Sequence, residues 1–185
     1  PKADVAVLLI TFLLTVVFDL TIAIEFGLVL ACLIFIRRVM ETTEVNIFKD
    51  EIIPTDADGT ALGDEHLIIP EHTEVYEING PYFFGAGNKF EEVMAAFGDR
   101  PKVRIIRMRK VPFVDSTGIH TLMNLCTISQ NEGIKLVLSG VNTKIQAVLE
   151  HAGFNALICS ENVCPHINVA LTKSKEIVYS MPVKE

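Results

Sequence analysis

Tryptophan is absent from the chain, tyrosine occurs three times and cysteine four times. Four cysteines in 185 residues exclude the disulfide framework of a small secreted domain. Cys32 lies in an apolar run and Cys126 on the apolar stripe of a helical segment, so both read as small hydrophobes. Cys159-x4-Cys164-Pro-His166 holds three ligand types, but the spacing is unlike that of zinc pairs and a fourth ligand is missing, so no metal site is expected. Basic residues are scarce, 16 Lys and Arg against 23 Asp and Glu, for a formal net charge of −7. With no nucleic-acid motif either, nucleic acid is not an expected partner. The sequence also lacks a P-loop, a dinucleotide fingerprint and carboxylate pairs that could be placed together. Ser116 and His120 stand four apart on one helix, without a base aimed at a nucleophile or a third group to orient it. Neither an enzyme nor a cofactor is expected.

Half the residues are hydrophobic despite the charge, so the two properties are segregated. From Ala3 to Ile36 only Asp4, Asp19 and Glu25 carry charge. The run exceeds one span of about 20 residues and falls short of two full ones. Asp19 and Glu25 bracket Leu20–Ile24, and a turn near either acid gives two short helices, 3–18 and 21–36, as a membrane hairpin. Sixteen residues make roughly 24 Å of helix against a hydrocarbon core of about 30 Å. The alternatives are one long tilted helix or a buried soluble hairpin. A signal peptide is disfavoured, because the run exceeds an h-region and has neither a basic n-region nor an A-x-A site. Lys2 precedes the pair and Arg37-Arg38 follows it, so a hairpin puts both on one side, and the positive-inside rule makes that side cytoplasmic. The chain opens with Pro rather than Met, and we expect a fragment whose upstream membrane segments are missing.

Glu41 to Glu77 holds eleven acidic residues and one basic residue, Lys49. Residues 41–70 read as a linker with short ordered pieces. Asp56-Ala-Asp58-Gly59 starts like a calcium loop, but the later ligands are wrong, and a solvated turn is expected. A cytoplasmic domain is expected over 71–185. Val75–Ile78 reads as a strand, Asn79-Gly80 as a hairpin turn and Tyr82–Phe84 as the partner strand. Gly85-Ala-Gly87 precedes a helix over 88–97. A strand at 103–108 leads into a helix stopped by Gly133, and a strand follows at 134–138. Asn142 starts a helix that Gly153 ends. A short strand at 156–159 and a last helix at 163–178 complete an α/β fold, a mixed sheet with alternating helices.

The chain is organised around Val111-Pro-Phe-Val-Asp115-Ser-Thr-Gly118-Ile-His-Thr-Leu122. Pro112 stops the strand. Asp115, Ser116 and Thr117 then place short oxygen side chains where a helix begins. The plain reading is an N-cap. The sharper one is a phospho-acceptor or anion-docking loop, Asp115, Ser116, Thr117 and Gly118, with the helix dipole favouring added negative charge. Arg100, Lys102, Arg104, Arg107, Arg109 and Lys110 crowd the preceding strand. Of these, Arg104, Arg107, Arg109 and Lys110 form a candidate basic patch for an acidic partner, the acidic linker or the membrane surface, or else are solvated strand ends.

The loop Val114-Asp-Ser-Thr-Gly-Ile-His120 resembles the signature of STAS domains, found in anti-sigma-factor antagonists and at the C-termini of SulP-type anion transporters. In the antagonists the second hydroxyl residue after the Asp is phosphorylated, and Thr117 matches it. Pro1-Lys-Ala-Asp-Val-Ala-Val, Thr11-Phe-Leu-Leu-Thr-Val-Val-Phe-Asp19, Glu25-Phe-Gly-Leu-Val and Arg37-Arg38 resemble the last two membrane helices of SulP transporters, relatives of the SLC26 carriers. Gly80-Pro-Tyr-Phe-Phe-Gly85 resembles the opening hairpin of their STAS domains. The resemblance implies a C-terminal fragment of a secondary active anion transporter of sulfate type in the plasma (inner) membrane, with the substrate site on missing upstream helices. The cytoplasmic domain would act in regulation, docking or contacts within a homodimer, with a regulatory protein as a further partner. The competing reading is a stand-alone signalling switch of the antagonist type, against which the apolar 3–36 stretch speaks.

Overall fold

The computed structural model describes residues 2–52, 67–82, 101–158 and 160–180. The chain divides into two compact units, 1–42 and 43–185.

The first unit is a helical hairpin of α1 (Lys2–Val17) and α2 (Leu20–Glu41). The turn falls at the first of the two expected acids. Asp19 accepts from Leu20 N–H at 2.8 Å through its carboxylate and from Ala23 N–H at 3.0 Å through its carbonyl, which starts α2 as an N-cap does. The helices run antiparallel. A side chain at Gly27 would collide with the Thr11 hydroxyl at 2.7 Å, and Arg38 meets Asp4 at 3.2 Å near the open end. By length and composition Leu20–Val39 can cross a membrane, with a mean hydropathy of 2.2, while the apolar part of α1, Asp4–Val17, is shorter.

The second unit is built on a five-stranded sheet in the order β1-β4-β5-β6-β7. Its strands are β1 (Glu44–Phe48), β4 (Thr73–Asn79), β5 (Val103–Lys110), β6 (Lys135–Ser139) and β7 (Val163–Cys164). β1 is antiparallel to β4, and all the other pairings are parallel. A two-stranded ribbon of β2 (Glu51–Ile52) and β3 (Leu67–Ile68) stands apart. Among the described residues the helices of this unit are α3 (Ser116–Asn131), α4 (Thr143–His151) and α5 (Ile167–Ser180).

Alternation along the strands splits the core in two. Tyr76, Ile78, Ile106, Met108, Leu136 and Leu138 face α3 and α4, where Leu122, Leu125, Ile145 and Leu149 cover them. Val75, Val103, Ile105 and Val137 face Ile167, Ala170 and Leu171 of α5. This is the expected mixed α/β fold, with a mostly parallel sheet.

Three expectations need correction. The antiparallel partner of β4 is β1, from the segment read as a linker, and not 82–84. Gly80 is followed by Pro81, and a two-residue turn would need the N–H that proline lacks. Tyr82 instead forms a parallel bridge to Val114. The strand expected at 156–159 lies at Val163–Cys164, while Phe154–Ala156 is a 3₁₀ turn. The last helix opens at Ile167, beyond Pro165, rather than at 163. The expected helix at 88–97, Gly85-Ala-Gly87 and the 56–59 turn lie outside the described residues.

Candidate functional site

The loop between β5 and α3 is held from three sides. β5 ends where Val111 N–H turns back to Met108 C=O at 3.0 Å. Asn142, the cap of α4, donates to Val111 C=O at 3.2 Å while its oxygen accepts from Ile145 N–H at 2.8 Å. Tyr82 donates its N–H to Phe113 C=O at 3.1 Å and accepts from Asp115 N–H at 3.4 Å. Buried beneath the loop, Tyr82 is the part of the site that sequence reasoning missed. Its signal is the first aromatic of Tyr82-Phe-Phe84 after Asn-Gly-Pro, a run that local pattern alone reads as a strand.

Asp115 is extended, with φ −94° and ψ 179°, and its carboxylate accepts from Gly118 N–H at 2.7 Å. It thus fills the N-cap role expected of it. Gly118 is buried, and a Cβ there would overlap the Tyr82 carbonyl oxygen and press on the Tyr82 ring and Val114 at 3.0 Å. Only glycine lets α3 start this close to Tyr82. Ser116 and Thr117 are exposed in the first turn, and Phe113 is exposed in the loop before it. Two hydroxyls therefore face solvent where the orphan N–H groups and the positive end of the dipole lie. His120 is also exposed.

The four basic residues do not gather here. Arg104 is buried at 4% exposure, donates to Ser129 of α3 at 3.0 Å and lies 5.5 Å from the centre of the Tyr76 ring. Arg107, 3% exposed, is paired with Glu77 at 3.1 Å. Lys110 reaches the other oxygen of Glu77 at 3.5 Å. Arg109 is half-buried and lies, with Arg107, on the α5 side of the sheet. A surface patch of four cations is thus not what the strand presents. Two guanidinium groups are inside, and the register sets Glu74 beside Arg104 and Glu77, which pairs with Arg107, beside Arg107. Glu74 also accepts from the Tyr76 hydroxyl at 2.7 Å and pairs with Lys49 at 2.9 Å. Burial first, then the Glu74 bond, holds the Tyr76 phenol protonated well above its ordinary range. Burial likewise pushes the Cys126 thiol up to about 12. Of the Cys159, Cys164 and His166 trio, Cys159 lies outside the described residues, and Cys164 is buried. Among the described residues no group of three or more His, Cys, Asp or Glu is placed to hold a metal.

The STAS-domain family model matches residues 66–170, more than half of the chain, and the chain belongs to that family. Within it the likeness is to sulfate transporters. A sulfate transporter family protein from Wolinella succinogenes is 36% identical, with a TM-score of 0.60, over 68% of this chain and all of that one. YvdB of Bacillus subtilis, a provisionally named sulfate transporter, is 28% identical over 166 residues, 89% of this chain. Those residues are 29% of YvdB, so the chain spans less than a third of that relative's length. The murine anion transporter Slc26a9 in its inward-facing state shares the fold at a TM-score of 0.68 and 21% identity, over 95% of this chain and 29% of that one.

Proposed function

We propose that this chain is the C-terminal part of a secondary active anion transporter of sulfate type. In this reading α1 and α2 are its final membrane hairpin and 43–185 its cytoplasmic regulatory domain. One observation carries the proposal. The match to YvdB runs for 166 residues, longer than the STAS unit itself, so it must enter the apolar hairpin. A stand-alone STAS switch would need no such segment. The hairpin's own surface adds support, since Leu8, Phe12, Phe18, Phe26, Leu28 and Phe35 are all more than 60% exposed. That much apolar surface needs lipid or other membrane helices to cover it. On this reading the ion path lies upstream, and the domain's work is regulation, docking and contacts in a homodimer. Uptake of labelled sulfate into vesicles carrying the full-length gene product tests the reading. Uptake above empty vesicles is expected, and a full-length product found in the soluble fraction would instead favour the signalling switch.

The finer proposal concerns the loop. Thr117, exposed in the first turn of α3, is the group we propose for charge-controlled docking, with Ser116 beside it. The dipole and free N–H groups favour an added phosphate there, and Asp115 opposes it. Arg107 and Arg109 lie toward α5, so the helix terminus, rather than those side chains, has to supply the attraction. Thr117→Glu is expected to leave folding unchanged while altering transport or binding of a cytoplasmic regulatory protein. Wild-type behaviour in both Thr117→Glu and Thr117→Ala would reduce the loop to a structural turn.

A further inference from the structure

At the end of the sheet away from the signature loop, three connections meet around a cavity of about 590 Å³. They are residues 49–50 between β1 and β2, residues 69–74 from β3 into β4, and Pro101 before β5. We propose, independently of the transporter reading, that this cavity binds an aliphatic diamine.

Backbone hydrogen bonds set its walls. Asp50 C=O accepts from Ile69 N–H at 2.9 Å, which closes the ribbon. His72 is left-handed at φ 60°, and its C=O accepts from Lys102 N–H at 2.8 Å and from Val103 N–H at 3.1 Å. Those bonds hold the 70–73 turn against the start of β5. Ile69, Pro70 and Pro101 give the wall apolar surface, on which methylene groups can lie.

The charge on the wall is negative. Glu74 is matched by Lys49 at 2.9 Å, and no other Lys or Arg lines the cavity. Asp50 and Glu71 are both exposed and, among the described residues, have no ion-pair partner. Two carboxylates are thus left over in a concave, partly apolar site, where charges of one sign reinforce each other's field. A second, independent feature is Thr73, which lines the same cavity. It is 4% exposed, and its Oγ1 has no hydrogen-bond partner. A buried hydroxyl without a partner is costly, and its oxygen can accept from an ammonium group. These groups together call for two positive charges, hydrogen-bond donors and an apolar body. A metal ion does not meet that description, since among the described residues no three His, Cys, Asp or Glu gather to hold one. An aliphatic diamine does. The cavity, at about 590 Å³, also falls within the roughly 300–1,000 Å³ of small-molecule sites.

The test uses the 185-residue chain in detergent, titrated with putrescine dihydrochloride against sodium chloride at constant ionic strength and followed by backbone amide resonances. Saturable shifts are expected at Asp50, Glu71, His72 and Thr73, with the Ser116–Gly118 amides unmoved. Neutral butanediol should leave all of them in place. Thr73→Val keeps the shape and removes only the unpartnered hydroxyl. It should fold at least as stably as the wild type and weaken putrescine binding about ten-fold, the loss of one hydrogen bond to a charged group. If that variant does not fold, the double change Asp50→Asn with Glu71→Gln, on exposed turns, must weaken binding about five-fold. Absence of a saturable shift, or equal shifts with butanediol, would overturn the proposal. Undiminished affinity in either folded variant would do the same. Nα-acetyl-lysine amide, standing in for a protein side chain, should bind more weakly than putrescine. Tighter binding of that amide would make the cavity a docking face for a basic protein segment, and the diamine proposal would fall.

Discussion

Gly118 carries the tightest steric requirement in the signature loop. Any side chain there meets the Tyr82 backbone, which cannot swing away as a flexible side-chain tip could. Gly118→Ala is therefore expected to cost about 1–3 kcal/mol, read from the urea midpoint. Asp115→Ala should cost about 0.5–2 kcal/mol by freeing the Gly118 N–H. That cap was legible in the sequence because donor and acceptor lie three residues apart. The reason for the glycine was not, because Tyr82 is 36 residues away in the chain and reaches the loop through a bridge no local pattern announces. Thiol chemistry offers another residue-scale check. With its pKa raised to about 12 by burial, Cys126 has almost no thiolate at pH 8. Site-mapped alkylation at that pH should leave it unmodified in the native chain and label it readily in urea. Native labelling of Cys126 would contradict its place in the core.

Among the elements, β4 and β5 hold the most consequential pairing. Glu77 and Arg107 sit side by side at about 5% exposure, and an ion pair that dry is costly to break. Glu77→Gln removes the buried carboxylate that meets Arg107 at 3.1 Å and is expected to destabilise the domain by about 3–5 kcal/mol. The double change Glu77→Leu with Arg107→Met should restore much of that loss in the same denaturant titration. A single variant as stable as the wild type would mean that water reaches the pair. The sequence misled on this point for a physical reason. Val103–Lys110 advertises its cations, but the carboxylates that neutralise them lie on a strand whose register cannot be read from one segment. The helices α3 and α4 and the strands β4, β5 and β6 were readable from their own periods, whereas the short β7 was expected at 156–159 and lies at Val163–Cys164. The partner of β4 was not, since Asn79-Gly80 signals a turn while Pro81 removes the donor that a hairpin would use.

At the scale of the molecule, the two units differ in what can cover their apolar surface, and the final prediction concerns the first of them. The core of 43–185 closes on itself, with β1 shielding one edge of β4. The hairpin leaves its large side chains outward on both helices. α2 offers 20 residues from Leu20 to Val39 for a crossing. α1, with 16 residues, gives roughly 24 Å of helix, short of a core of about 30 Å. Local thinning of the bilayer, or contact with other membrane helices, would make up the difference. The ends of the hairpin are tied together by Arg38 and Asp4, 3.2 Å apart and each more than half exposed. Such a pair contributes about 0–1 kcal/mol, so it reports the geometry rather than enforcing it. Lys2, Arg37 and Arg38 gather at one end, and in the membrane reading proposed above the positive-inside rule is expected to send that end to the cytoplasm. Cysteines introduced at positions 2 and 40 of the full-length protein, in a background with the native cysteines replaced, should both resist an impermeant maleimide in intact cells. Both should react once the cells are opened. Modification of one position from outside and the other from inside would mean a single crossing, and the hairpin would be lost as a membrane element.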